Sequence, residues 1–313
     1  MPEHTLVTPG TDAIAVAGPH GLVEPEELAA ARAPFAKAFF KWIRRQPLGA
    51  VSAAFVLGMI IIAIFAPQVA PHDPVQNHYE AMEVAPNAEF WLGTDQFGRD
   101  LLSRIIWGAR TALFIGFTSA FIGATLGLVL GVGSAYFGGR VDLLFQRIMD
   151  VFLAFPLIIM ALAVVAIFGT GAQNVIIAIT IPFIPRCARV VRSSALAIRE
   201  MPYVDAARAL GYGHLRIILR HMVPNCVAPF LIMLTTFLGQ AILLEASLSY
   251  LGLGVQEPTA AWGLMLQGGA EEYAESAPWI AVFPGLAITI AVFAFNLLGD
   301  SIRDTFDPKL RSR

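Results

Sequence analysis

The sequence predicts an all-α membrane protein, and three observations carry that reading. Hydrophobic residues make up 57% of the 313 and charged residues only 14%, against about 25% charged in an average soluble chain. Charge-free apolar runs recur at roughly 20 residues, the helical length that crosses about 30 Å of hydrocarbon. The 21 Lys and Arg residues are also spread unevenly among the segments between those runs.

Residues 1–34 are rich in Pro, Ala, Glu and Gly and lack the apolar core of a cleavable signal peptide, so a disordered tail is expected. "FAKAFFKWIRRQP" (35–47) places Phe35, Phe39, Trp42 and Ile43 on one helical face and Lys37, Lys41, Arg44 and Arg45 on another. Such a helix lies along a membrane interface and touches lipid.

Five charge-free runs follow: Leu48–Ala66, Thr111–Phe137, Val151–Pro185, Met222–Leu244 and Ser276–Gly299. "GTGAQN" (169–174) interrupts the third run, which is read as two spans joined by a tight turn. The expectation is therefore a six-helix domain over 48–299 with both termini on one side. From Asn174 to Arg186 a helix rises only about 18 Å. The fourth span must then continue through "RCARVVR", with Arg186, Arg189 and Arg192 snorkelling or, for Arg186, lining a substrate pathway. Pro182 and Pro185 are expected to kink it. In the second span Gly123, Gly127 and Gly131 repeat every four residues, as do Gly116, Ala120 and Ala124. Small residues at that spacing let helices approach closely.

Orientation follows from the Lys/Arg bias. Segment 250–278 contains no Lys or Arg, and 67–110 contains only Arg99, Arg104 and Arg110. These are expected outside. The N-terminal segment, the 138–150 loop, the 186–221 segment and the 300–313 tail carry the other basic residues and are expected in the cytoplasm. The tryptophans at 91, 107, 262 and 279 fit interfacial anchoring at the outer boundary.

Segment 199–224 is polar, although it lies between apolar runs. Pro202 suits a first helical turn, Asp205 complements the helix dipole, and Gly211 is a plausible C-cap. Ala206, Ala207 and Ala209 are small, and "GYG" (211–213) permits a reversal. A second helix, His214–Met222, is expected to end before Pro224, with Arg216 and Arg220 seated on headgroups. The pair makes a blunt projecting helix with a basic brace.

Asp-Ala-Ala, three residues, Gly, then Pro 13 residues later, before the fifth span, resembles the EAA loop of ABC-importer membrane subunits. Asp205 stands where Glu is usual, and "HMVP" (221–224) where many members have Ile-x-Leu-Pro. "LGTDQFGRDLLSRIIWGAR" (92–110), "EASLSYLGLGVQEPTAAWGLML" (245–266) and "FNLLGDSIRDTFDPKL" (295–310) are similar to segments of the dipeptide/oligopeptide permease family, C type.

The resemblance implies a type I importer transmembrane domain in a bacterial inner membrane. It implies a second permease subunit in a heterodimeric pore, two ATPase subunits and an external solute-binding protein. It makes Asp205, Ala206, Ala207, Arg208, Leu210, Gly211 and Pro224 the docking and coupling residues. The sequence has no GxxxxGK[ST] loop, so ATP and Mg are expected on the partner ATPases and this chain is expected to hold no cofactor and no metal. Peptides are the expected solutes, with nickel chelates or oligosaccharides as alternatives within the family.

Glu245 lies about 30 Å beyond Asn225 along a helix, and intramembrane acids are functional suspects. It is expected either to meet substrate or to pair with Arg99, Arg104 or Arg110. His72 and His78 lack metal-ligand spacing, and Cys187 and Cys226 read as unpaired packing residues. A secondary transporter would show internal repeats around midplane polar sites, and an intramembrane enzyme would show a catalytic pair. Neither signature is visible, and a simple anchor has no use for a projecting helix. Nothing points to a nucleic-acid partner.

Overall fold

The computed structural model describes residues 17–18, 21–22, 43–44, 46–273 and 275–306. The chain divides into Met1–Pro47 and Leu48–Arg313. The first unit contains a two-residue antiparallel pairing, Ala17–Gly18 with Gly21–Leu22. The tail expected over 1–34 and the interfacial helix over 35–47 otherwise lie outside the described residues, as do 307–313.

The helices, in order, are α1 (Pro47–Ile64), α2 (Ala66–Val69), α3 (Leu101–Phe137), α4 (Gly139–Leu153), α5 (Leu157–Phe168), α6 (Ala172–Arg199), α7 (Pro202–Ala209), α8 (His214–Ile217), α9 (Val227–Tyr250), α10 (Trp262–Glu272) and α11 (Trp279–Phe306). Among the described residues five helices are long and apolar enough to span a membrane, and six if the α4–α5 pair counts as one.

Three boundaries differ from expectation. α3 begins at Leu101, ten residues before Thr111, because Asp100 caps it, accepting from the Ser103 N–H at 2.9 Å. The run from Val151 to Phe168 is not one helix. It breaks at Ala154–Pro156, and α4 meets α5 at 89°, with Pro156 in extended backbone at the N-cap of α5, where its missing N–H leaves no helical bond unmade. α11 continues through Phe306, seven residues beyond Gly299 and into the expected tail. A fourth feature was not foreseen: α10, inside the segment expected to be a loop over 250–278.

The turn expected at 169–174 is present. Gly169 and Gly171 adopt φ of +87° and +112°, conformations open to glycine, and α6 then runs unbroken to Arg199 with both prolines inside it. The close approach expected of the small residues is also present. A Cβ added to Gly127 would lie 2.5 Å from that of Cys187, and one on Gly123 2.8 Å from that of Phe183. α3 and α6 therefore pack nearly backbone to backbone, the most extensive helix contact among the described residues.

Two cores result. One joins α3, α5, α6 and α9, centred on Phe183 stacked against Phe237 with ring centroids 4.2 Å apart. The other joins α1, α3, α9, α10 and α11 around Leu101, Trp262 and Phe295. Trp262 is buried in it, donating from Nε1 to the Ile105 carbonyl at 2.9 Å. It is a packing residue, not the interfacial anchor expected, because Gly108 opens the space its indole fills.

Candidate coupling site

α7 is a two-turn helix whose ends are both specified locally. Pro202 occupies its first turn, where a missing N–H leaves nothing unsatisfied. At the other end the Tyr212 N–H donates to the Ala207 carbonyl at 3.1 Å and the Gly211 N–H to Arg208 at 2.9 Å. This is a Schellman closure, with Gly211 at φ +75°. A Cβ there would meet no atom within 4 Å, so the requirement for glycine is conformational, not steric.

The helix has an inner and an outer side. Val204 and Ala207 are buried in the same core as Phe183 and Phe237. Asp205, Ala206 and Arg208 are exposed, as is Leu210 at 71%. Ala207, grouped with the docking residues by its spacing, therefore faces the body of the protein. Its smallness serves packing against the spans, and Ala206 is the small residue on the open side. Arg208 donates to Asp205 at 3.0 Å, an exposed i, i+3 pair. Met201, Tyr203 and Leu215 add exposed apolar surface around this face, which the helical spacing alone did not single out.

Anchors from distant segments hold the projection. The Tyr136 hydroxyl, in the last turn of α3, lies 2.7 Å from His214 Nδ1. Arg199 donates to the Ala135 carbonyl at 2.9 Å, and Arg208 lies 5.6 Å from the Tyr136 ring centroid. Arg192 donates twice to Asp142, at 2.6 and 2.5 Å, and Ser134 also donates to that carboxylate. Hydrogen bonding from Arg192 holds the Asp142 carboxyl below the usual range. Arg189 pairs with Asp150.

The brace is built differently from expectation. Arg216 stacks over the Tyr212 ring at 4.2 Å, while Arg220 is exposed. The helix does not end before Pro224. A π turn (Ile218–Met222) and a 3-10 turn (Val223–Cys226) carry one 37-residue rod from His214 to Tyr250. Pro224 sits in the first turn of the 3-10 segment, where its missing N–H is tolerated, and Asn225 Nδ2 donates to the His221 carbonyl at 2.7 Å.

At the other end of the bundle, Arg99 donates to Asp95 (2.7 Å) and twice to Glu257 (2.7 and 3.2 Å), and Arg104 reaches Glu257 at 3.4 Å. Burial works against the charge on Arg99, but the acids outweigh it and its pKa is raised. Glu245 joins none of these arginines. It is 1% exposed and accepts from the Ser249 hydroxyl, one turn on, at 2.8 Å. Glu257 pairs with two of the three arginines expected for Glu245, Arg99 and Arg104, and Glu245 lies too deep in the core to meet a solute in this conformation. Arg186 is half-buried in the middle of α6. His72 and His78 lie with ring centroids 6.3 Å apart, and each contacts Phe90. Among the described residues no three His, Cys, Asp or Glu gather around a metal position.

Residues 123–312 match the family described as binding-protein-dependent transport system inner membrane component. Residues 35–87 match the N-terminal TM domain of oligopeptide transport permease C. The chain is 42% identical over 292 residues to the dipeptide transport system permease protein of Alkalihalophilus pseudofirmus, covering 92% of this chain and 94% of that one. It is equally similar to the glutathione transport system permease protein of Escherichia coli O6:K15:H31, over 93% and 94%. Among solved structures, the inward-facing methionine ABC transporter MetNI shares its fold with a TM-score of 0.52 at 22% identity, over 66% of this chain and 97% of that one. By these matches the chain belongs to the inner-membrane permease components of binding-protein-dependent ABC importers, of the oligopeptide permease C type.

Proposed function

We propose that the chain forms half of a pore for short peptides and that α7 is the lever through which separate ATPases drive it. The observation that carries this reading is the two-sided character of α7. Asp205, Ala206, Arg208 and Leu210 offer a small, open surface, while Val204 and Ala207 are locked into the core of the spans. A partner groove that grips the open side moves the locked side with it.

The lever reaches three spans. Tyr136–His214 and Arg199–Ala135 tie it to the end of α3, Arg199 terminates α6, and the rod from His214 continues as α9. ATP and its Mg bind the partner ATPases, whose closure displaces α7 and swings these helices as nearly rigid bodies between two arrangements. A loaded solute-binding protein delivers peptide to the open side, and hydrolysis resets the pore. The 67–110 and 250–278 segments face that protein, and the termini lie in the cytoplasm. Arg216 and Arg220 sit at the inner headgroups.

The names of the dipeptide and glutathione relatives support a peptide as solute. The test is reconstitution of the complete importer in liposomes with its ATPases, second permease and binding protein. ATP-dependent accumulation of a labelled dipeptide is expected. Accumulation that persists after complete ATP depletion would refute the coupled reading.

A further inference from the structure

A cavity of about 700 Å³ opens beside the first turns of α3, walled by Trp107, Arg110 and Thr111 from that helix and by Gln256, Glu257 and Thr259 from the segment after α9. Its size falls within the range of roughly 300–1,000 Å³ typical of small-molecule sites. We infer that it binds a short zwitterionic peptide, with Arg110 taking the terminal carboxylate and Glu257 the terminal ammonium. The inference rests on the peptide-importer reading and deepens it by giving the permease its own recognition site.

The lining carries one charge of each sign, Arg110 and Glu257, which fits a dipolar ligand. Arg99 and Arg104 share Asp95 and Glu257, whereas among the described residues Arg110 has no carboxylate partner. Arg110 is exposed, and its one recorded contact among the described residues is the Trp107 ring, 5.5 Å from the guanidinium carbon to the ring centroid. A guanidinium so placed presents a planar fork that matches a carboxylate.

Glu257 is 43% exposed and accepts three N–H bonds from the two buried arginines. A carboxylate accepts about four, so it retains capacity for an ammonium. Trp107 and Phe114 supply apolar wall for side chains, and the Gln256 amide and Thr111 hydroxyl supply polar contacts. Depth agrees. Arg110 is 27 residues from Phe137, about 40 Å along the helix and beyond the ~30 Å hydrocarbon layer. The cavity is thus within reach of solute arriving from outside.

The experiment uses the membrane complex of both permeases and the ATPases, without binding protein, in phosphatidylcholine nanodiscs. Saturation-transfer NMR compares L-Ala-L-Ala, its C-terminal amide and its N-acetyl derivative. Both modified peptides are expected to bind at least about tenfold more weakly than the free peptide, the loss of one charge-assisted contact. R110Q should weaken the free peptide by a similar factor and leave the amide unchanged, and R110K should restore part of the difference.

Equal binding of the free peptide and its amide to the wild-type complex overturns the site and needs no variant. The two readings fail separately. Loss of the site leaves ATP-driven dipeptide uptake by the full importer in place, whereas failure of the importer reading abolishes that uptake whatever this cavity binds.

Discussion

The Tyr136 hydroxyl lies 2.7 Å from His214 Nδ1. It joins the last turn of α3 to the first residue of the rod that follows α7, two positions 78 residues apart. It ties the start of that rod to the span that packs most closely on α6. Tyr136→Phe keeps the ring but removes a hydrogen bond of about 0.5–1.5 kcal/mol. Hydrogen exchange across 202–213 should rise, and peptide transported per ATP hydrolysed should fall while ATPase activity persists. Unchanged exchange and unchanged stoichiometry would show that the tie does not transmit motion.

Gly211 separates conformation from space. Any L-residue there must hold φ +75°, at a cost of about 1–2 kcal/mol, yet its Cβ would strike nothing. Gly211→Val should loosen the end of α7 and uncouple hydrolysis from uptake, with normal membrane insertion. Gly211→Asn, which tolerates this region, should retain most transport. Equal transport by both variants and wild type would remove Gly211 from the coupling device.

Ala206 and Ala207 are adjacent, yet the first is exposed and the second buried. Ala206→Trp is expected to insert and fold normally but to lose ATPase co-purification. Ala207→Trp should instead lower the thermal stability of the isolated chain, since overpacking costs typically 1–3 kcal/mol or more. Co-purification that survives Ala206→Trp in a folded chain would count against docking on the open side.

Along α3, Gly127 and Gly133 form a matched pair. Gly127→Leu forces side-chain atoms into the space held by Cys187, whose Cβ would be 2.5 Å from the new one. Strong loss of folded protein is expected in detergent thermal-shift measurements. Gly133→Leu has open space around it and should be close to neutral.

Glu245→Gln keeps the shape of the side chain and its contact with Ser249, so substrate affinity and transport rate should match wild type. A tenfold change in either would mean that Glu245 leaves the core during the cycle and meets the solute. Glu257→Ala leaves the two buried guanidiniums of Arg99 and Arg104 sharing the single carboxylate of Asp95, and removing one partner from a buried charge cluster is destabilising. A lower thermal midpoint is expected even before transport is assayed.

Much of the bundle was legible from one-dimensional pattern. Run length located the spans, glycine and polar residues at 169–174 located a turn, and the small residues at 116–131 announced close helix packing along α3 without naming its partners. These are local properties, since desolvation of a run and the absence of a Cβ do not depend on the partner. Asp100 and Pro156 shifted boundaries locally, whereas the burial of Arg104 depended on a partner far along the chain. Arg104 looked like a loop residue but is helical and fully buried, because Glu257, 153 positions away, neutralises it together with Asp95.

α7 shows the same division. By itself the sequence determined that a short helix starts at Pro202, closes at Gly211 and carries Asp205 near its start, because those signals act within one or two turns. Only the tertiary structure decided which side of that helix is free. Burial of Val204 and Ala207 against the spans depends on the end of α3 and on the 37-residue rod from His214, which folding brings beside them and no local pattern encodes.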